Sequence, residues 1–104
     1  MAIKIFTLDE ITIADSNIAQ RLSASTIYVA SVTIQADYNN GGRISVGGEN
    51  VDNTNGIQIE KGESAVIEFP ANHAGFTDEF DLKEIWVVST STNDKVRVSY
   101  IKRA

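Results

Sequence analysis

The feature that most constrains this chain is a period of two. Residues 95 to 100 read Lys-Val-Arg-Val-Ser-Tyr, so Val96, Val98 and Tyr100 share one face while Lys95, Arg97 and Ser99 share the other. Residues 26 to 36 do the same: Tyr28, Ala30, Val32 and Ile34 are expected to face a core, and Ser31, Thr33 and Gln35 to face away. Side chains alternate across a strand and recur every three or four residues along a helix, so this pattern specifies β-structure. The apolar runs are short and are punctuated by Gly, Asn and Asp, as in an all-β domain.

Reading onward gives seven or eight strands. Residues 2 to 8 form a candidate first strand, which Ile11 and Ile13 continue after an Asp9-Glu10 kink. Asp15 or Ser16 is placed to cap a single helical turn through Ile18 and Leu22. Residues 43 to 46 form a short strand with Ile44 and Val46 inward, and Ile57 and Ile59 alternate with Gln58 and Glu60 in the next. Lys61-Gly62-Glu63 then turns the chain into residues 64 to 69, with Ala65, Ile67 and Phe69 inward. Pro70 ends that strand because it has no N–H for a ladder. Residues 71 to 79 are the longest irregular segment, Asp81-Leu82-Lys83 is expected to turn tightly, and residues 85 to 89 form a strand. There Ile85-Trp86-Val87-Val88 breaks the alternation. A strand apolar on both faces needs a second cover, which is expected from the 72 to 80 segment or from another subunit.

With 104 residues there is room for one domain and one core; a chain of this size removes roughly 65% of its extended-chain surface from water. The expected fold is a single antiparallel β-sandwich over residues 1 to 104, jelly-roll-like, with an immunoglobulin-like key as the alternative. There is no cysteine, which excludes disulfides, thiolate nucleophiles and sulfur-ligated zinc. The N-terminus lacks the pattern of a signal peptide, and no run reaches the eighteen or so apolar residues of a membrane span. A net charge of −5 argues against general nucleic-acid binding, which depends on neutralising phosphates. All four charged residues from Lys95 onward (Lys95, Arg97, Lys102, Arg103) are basic, and all fourteen acids lie before them. A basic tail on an acidic body suggests head-to-tail contact between copies or docking on an acidic partner.

The stretch Asn-Asn-Gly-Gly-Arg-Ile-Ser-Val-Gly-Gly-Glu-Asn-Val-Asp-Asn-Thr-Asn-Gly, residues 39 to 56, holds five of the seven glycines and resembles a phosphate loop only superficially. After Gly42 and Gly47 come Gly48 and Glu49 where a P-loop needs Lys and Ser or Thr. An EF-hand register fails as well: with Gly56 in sixth place, Val51 takes the first ligand position and Gly62 the twelfth. Asn40-Gly41 and Asn55-Gly56 are instead expected as hairpin turns. His73 is the only histidine, no Gly-x-Ser-x-Gly elbow surrounds a serine, and Asp78, Glu79, Asp81 and Glu84 read as a solvated acidic edge. The residues therefore point to no enzyme, no cofactor and no metal.

The order of pieces carries a family resemblance. "VTIQAD", then "GRISVGGENVDNTNGIQIEKGES", then "DLKEIWVVSTSTNDKVRVSYIKR" resembles small β-sandwich structural proteins of tailed bacteriophages, of the head decoration, cement or fibre-base type. The resemblance implies a non-enzymatic virion component on the capsid exterior, soluble in the host cytoplasm before assembly. Its partner would be the major capsid protein or another virion protein, and it would be a homo-oligomer, with a trimer favoured, that contacts neither nucleic acid nor membrane. Trp86, Phe76 and Phe80 are the expected apolar anchors of such an interface, with Arg97, Lys102 and Arg103 as charged contacts. The alternative is a receptor- or glycan-binding module on the tail, for which Tyr38, between Asp37 and Asn39, is the candidate platform.

Overall fold

A computed structural model of the chain describes residues 3–8, 10–68 and 79–103. Eleven strands lie among them: β1 (Ile3–Thr7), β2 (Ile11–Ile13), β3 (Gln20–Arg21), β4 (Tyr28–Val29), β5 (Ser31–Ala36), β6 (Ile44–Gly47), β7 (Ile57–Ile59), β8 (Ser64–Glu68), β9 (Phe80–Asp81), β10 (Trp86–Ser89) and β11 (Asp94–Arg103). A single 3-10 turn covers Leu82–Glu84, where a tight turn is expected.

The pairings are nested. β6 pairs with β7, β5 with β8, β4 with β9, β3 with β10, and β1 and β2 both with β11, every pair antiparallel. The chain is thus one long hairpin whose innermost connection runs from residue 48 to 56. Rolling that hairpin adds two further antiparallel pairings, β11 with β5 and β10 with β6. The result is two main sheets, β1–β11–β5–β8 with β2 also on β11, and β3–β10–β6–β7, plus the small β4–β9 ribbon. Apart from β1 to β2, which share β11, and β6 to β7, every connection between main strands crosses from sheet to sheet. This is the double Greek key of a jelly roll, not the ABED/CFG arrangement of an immunoglobulin domain. Counting β1 and β2 as one bent edge and setting the ribbon aside leaves eight principal strands.

The two inner faces meet in one core of Ile13, Leu22, Val29, Val32, Ile34, Ala36, Ile44, Val46, Ile59, Ala65, Leu82, Ile85, Val87, Val96, Val98 and Tyr100. Burying each Val, Leu or Ile is worth about 1.5–3 kcal/mol before conformational entropy is counted.

Four local expectations are corrected. The strand expected over residues 26 to 36 breaks at Ala30, where the chain bends from one ladder to another: Val29 pairs with β9 and Ser31 with β11, so Val29 and Val32 are both fully buried although three residues apart. Tyr28 therefore points outward, because β4 leaves the main sheet to pair with β9. The helical turn expected before Leu22 is absent; Gln20 and Arg21 instead pair with β10, and Ile18 is exposed. Asn40-Gly41 is no hairpin, since it carries the chain from β5 in one sheet to β6 in the other. Ile57 alternates as expected but is half exposed, because β7 is an edge strand.

Candidate functional site

The expected contact residues do not converge on one patch. Trp86 lies on the outer face of the four-stranded sheet, in the row Arg21, Trp86, Gly47, with the Arg21 guanidinium 5.1 Å from its ring centroid. Phe80 pairs with Val29 in the ribbon and packs against the core. Lys102 lies at the end of the sandwich where β1 begins and β11 finishes, 5.9 Å from the ring of Phe6, which stacks on Tyr100 at 5.4 Å. Arg103 stands in register with Ile3 there, and Phe76 lies outside the described residues. Arg97 is far along the same strand, already engaged with Glu10 at 3.4 Å and Asp37 at 3.3 Å. An exposed bridge of this kind contributes at most about 1 kcal/mol, yet it occupies the charge that a partner would need.

Among the described residues β10 has a cover from an unexpected quarter, while residues 72–78 of the segment expected there lie outside the described residues. Val87 belongs to the core, so Trp86 and Val88 face outward, yet Val88 is only 1% exposed and its neighbour Ser45 likewise 1%. The connection 48–56 lies over them as a strap. Val51 packs on the outer face at Gly47, whose Cβ, if present, would stand 3.1 Å from Val51 Cγ2. Beyond Val51 the strap is held by polar contacts: Gln58 Nε2 and Arg43 Nη2 donate to the Asn53 carbonyl at 3.0 and 3.5 Å, and Asn53 Nδ2 donates to Asn17 Oδ1. Asp52 accepts from Thr54 Oγ1 at 2.7 Å and Thr54 N at 2.8 Å. Those bonds, the hydroxyl's foremost, hold its carboxyl below the usual value of 3.8. Gly56 returns the strap to β7 with φ +80°, a left-handed angle that suits glycine.

The other Gly-rich turn is locked from within. Asp94, 4% exposed, accepts from Gly41 N at 2.8 Å, Gly42 N at 3.0 Å and Ser89 Oγ at 2.6 Å. Asn40 pairs with the Lys95 backbone in both directions, Nδ2 donating to the carbonyl at 2.9 Å and Oδ1 accepting from the amide at 2.7 Å. The amides that resembled a phosphate cradle are thus filled by the protein's own carboxylate. Asp81 is also used internally, accepting from Lys83 N and Ile27 N and capping the 3-10 turn. The Lys83 bond is the main reason its carboxyl is held below 3.8. Glu79 and Glu84 are exposed, whereas His73 and Asp78 lie outside the described residues.

Several large aromatic and aliphatic side chains also stand outward. Tyr38 is 77% exposed, its ring edge over Gly62 in the 60–63 turn, next to the Asp37–Arg97 pair. On the five-stranded sheet Ile5 is 74% exposed and Val66 57%, one on each edge strand. Sequence reasoning passed over these two. The available signal was in β1, where Ile5 and Phe6 are adjacent and so cannot both face the core.

Among the described residues no three His, Asp or Glu side chains are grouped as metal ligands would be, and no helix is long and apolar enough to cross a membrane. In comparisons with known proteins, no family model, no curated protein and no solved structure matches this chain.

Proposed function

We propose that this chain is a non-enzymatic structural protein of a tailed-phage virion, a capsid decoration or cement protein that binds the head exterior and stabilises it. One observation carries the reading: Asn40, Asp52, Thr54 and Asn55 of the Gly-rich stretch are used in holding the chain's own turns, while the large apolar side chains Ile5 and Val66 stand exposed on the sheet. That surface suits adhesion to protein better than chemistry. The jelly roll is in keeping with it, since capsid and lectin domains use this architecture, although the fold alone assigns no role. The mechanism is additive. Many copies on a symmetric lattice gain from multivalency, and each copy bound only to the assembled shell stabilises it by mass action. The partner is the major capsid protein or another virion protein, and the chain acts as a homo-oligomer, a trimer being the favoured number. Purified protein mixed with capsids lacking it is expected to bind in fixed stoichiometry and to raise their resistance to heat. Binding without stabilisation, or no stoichiometric binding, overturns the proposal.

A second reading, a glycan-recognising module of the tail, is favoured by one observation: the exposed ring of Tyr38 next in the chain to Asp37, whose carboxylate pairs with Arg97. Saccharide binding abolished by Tyr38→Ala, with no effect of the protein on capsid heat resistance, would select this reading over the first.

A further inference from the structure

We infer that copies of this chain join head to tail through their sheets, β1 of one copy pairing with β8 of the next. Both are edge strands of the same sheet, and among the described residues neither pairs with a strand on its outer side. Such an edge presents unpaired N–H and C=O groups and templates further pairing unless it is blocked. Each of these two is five residues long.

Direction and register both fit. β1 runs antiparallel to β11, β11 to β5 and β5 to β8, so β1 and β8 point in opposite directions. Setting a second copy beside the first in the same orientation therefore makes an antiparallel pair without turning either molecule over. Full-length alignment puts Ile5 opposite Val66, Phe6 opposite Ala65 and Thr7 opposite Ser64. Directly opposed residues must share a face. Ile5 and Val66 both project from the outer face, whereas Phe6 stacks on inward Tyr100 and Ala65 is buried, so the parity is correct at each position. The contact covers the two most exposed apolar side chains of the sheet with each other.

Charge selects this pairing over a symmetric one. Residues 3 to 8 contain Lys4 and no acid, and Lys102 and Arg103 stand beside them on β11. Residues 63 to 68, which stand opposite them in this register, contain Glu63 and Glu68 and no base. Head-to-tail contact joins the basic edge to the acidic one, with Glu68 opposite Ile3 in the row that ends in Arg103. Two β8 edges brought together would join two acidic segments, and two β1 edges two basic ones, without the complementarity of the mixed pair. Heterologous contacts close into a ring where the rotation permits and otherwise extend as a chain.

The test is sedimentation of the full chain without capsids, so its failure leaves the capsid proposal standing. Wild type is expected to associate, and Ile5→Glu and Val66→Glu each to sediment as monomers while retaining the far-UV dichroism and melting of the wild type. A 1:1 mixture of the two variants is expected to form a heterodimer, because each supplies the edge that the other lacks. A wild type that stays monomeric at its highest soluble concentration overturns the inference. So does a single variant that associates like wild type, or a mixture that stays monomeric. Should a glutamate variant fail to fold, Ile5→Lys and Val66→Lys are read the same way.

Discussion

The two Gly-rich turns flanking β6 have nearly the same composition and opposite construction. On one side, Asn39 to Gly42 is held by a buried carboxylate and a carboxamide that bond directly to backbone amides. On the other, residues 48 to 56 bend back over the sheet and are anchored by Val51, with hydrogen bonds among exposed side chains around it. The first turn is a polar lock between sheets; the second is an apolar cover over one sheet. Glycine serves both for the same reason, that nothing larger allows such close approach, but what approaches differs.

The polar lock is expected to be at least as costly to break as the strap. Asp94→Ala leaves the part-buried Gly41 and Gly42 amides and the buried Ser89 hydroxyl without their acceptor, and a loss of about 2–3 kcal/mol in urea unfolding is the expected outcome. A loss under about 1 kcal/mol would show that water replaces the carboxylate and that the two turns do not differ in kind. At the strap, Gly56→Ala forces a β-carbon to 2.5 Å from the Val46 carbonyl oxygen at a left-handed backbone angle. This is expected to cost about 2–3 kcal/mol by the same measurement.

Val51→Ala isolates the apolar part of the strap. Its expected cost is about 1–2 kcal/mol. Because Trp86 is the only tryptophan and shares the outer face with Val51, the substitution should also shift the folded-state emission to the red. Asp94→Ala should leave that emission unchanged under native conditions, so fluorescence separates the two turns even where stability does not.

The smallest effect concerns pH. The folded Asp52 carboxyl titrates below its ordinary value of 3.8, chiefly because of the Thr54 hydroxyl, so its stabilising contribution is complete above that value. It is lost as pH falls through the lowered value. Asp52→Asn is therefore expected to be slightly less stable than wild type near neutrality, with the difference closing below pH 3.8. Thermal melts of both proteins across that range would check it; a difference that widens toward acid contradicts the sign.

Much of the fold was legible. The alternation of Val96, Val98 and Tyr100 is a local consequence of strand geometry, and the core holds all three. The two-part first edge was legible too, since β1 and β2 pair one after the other along the same β11. The break at Ala30 was not, because Tyr28 and Val29 are equally fit for a strand and only pairing with β9 decides which faces in. Gln20-Arg21 was missed for a related reason: two polar residues show no period, and they form a strand only because β10 offers an edge.

The functional residues divide in the same way. The sequence pointed to Trp86 as exceptional, because an apolar run with no period demands a second cover. Among the described residues that cover is Val51 with its strap, thirty-five residues before Trp86 along hairpin arms that only the rolled topology brings together. Likewise the basic tail is a property of the sequence, but its place on β11, beside the β1 edge and two strands from Glu68 on β8, depends on the order of strands in the sheet. Composition and periodicity fix what each segment prefers locally, since propensity and amphipathicity are short-range. Which strand pairs with which, and therefore which faces and edges remain for a partner, is a long-range choice among competing pairings that closes only when the whole core packs.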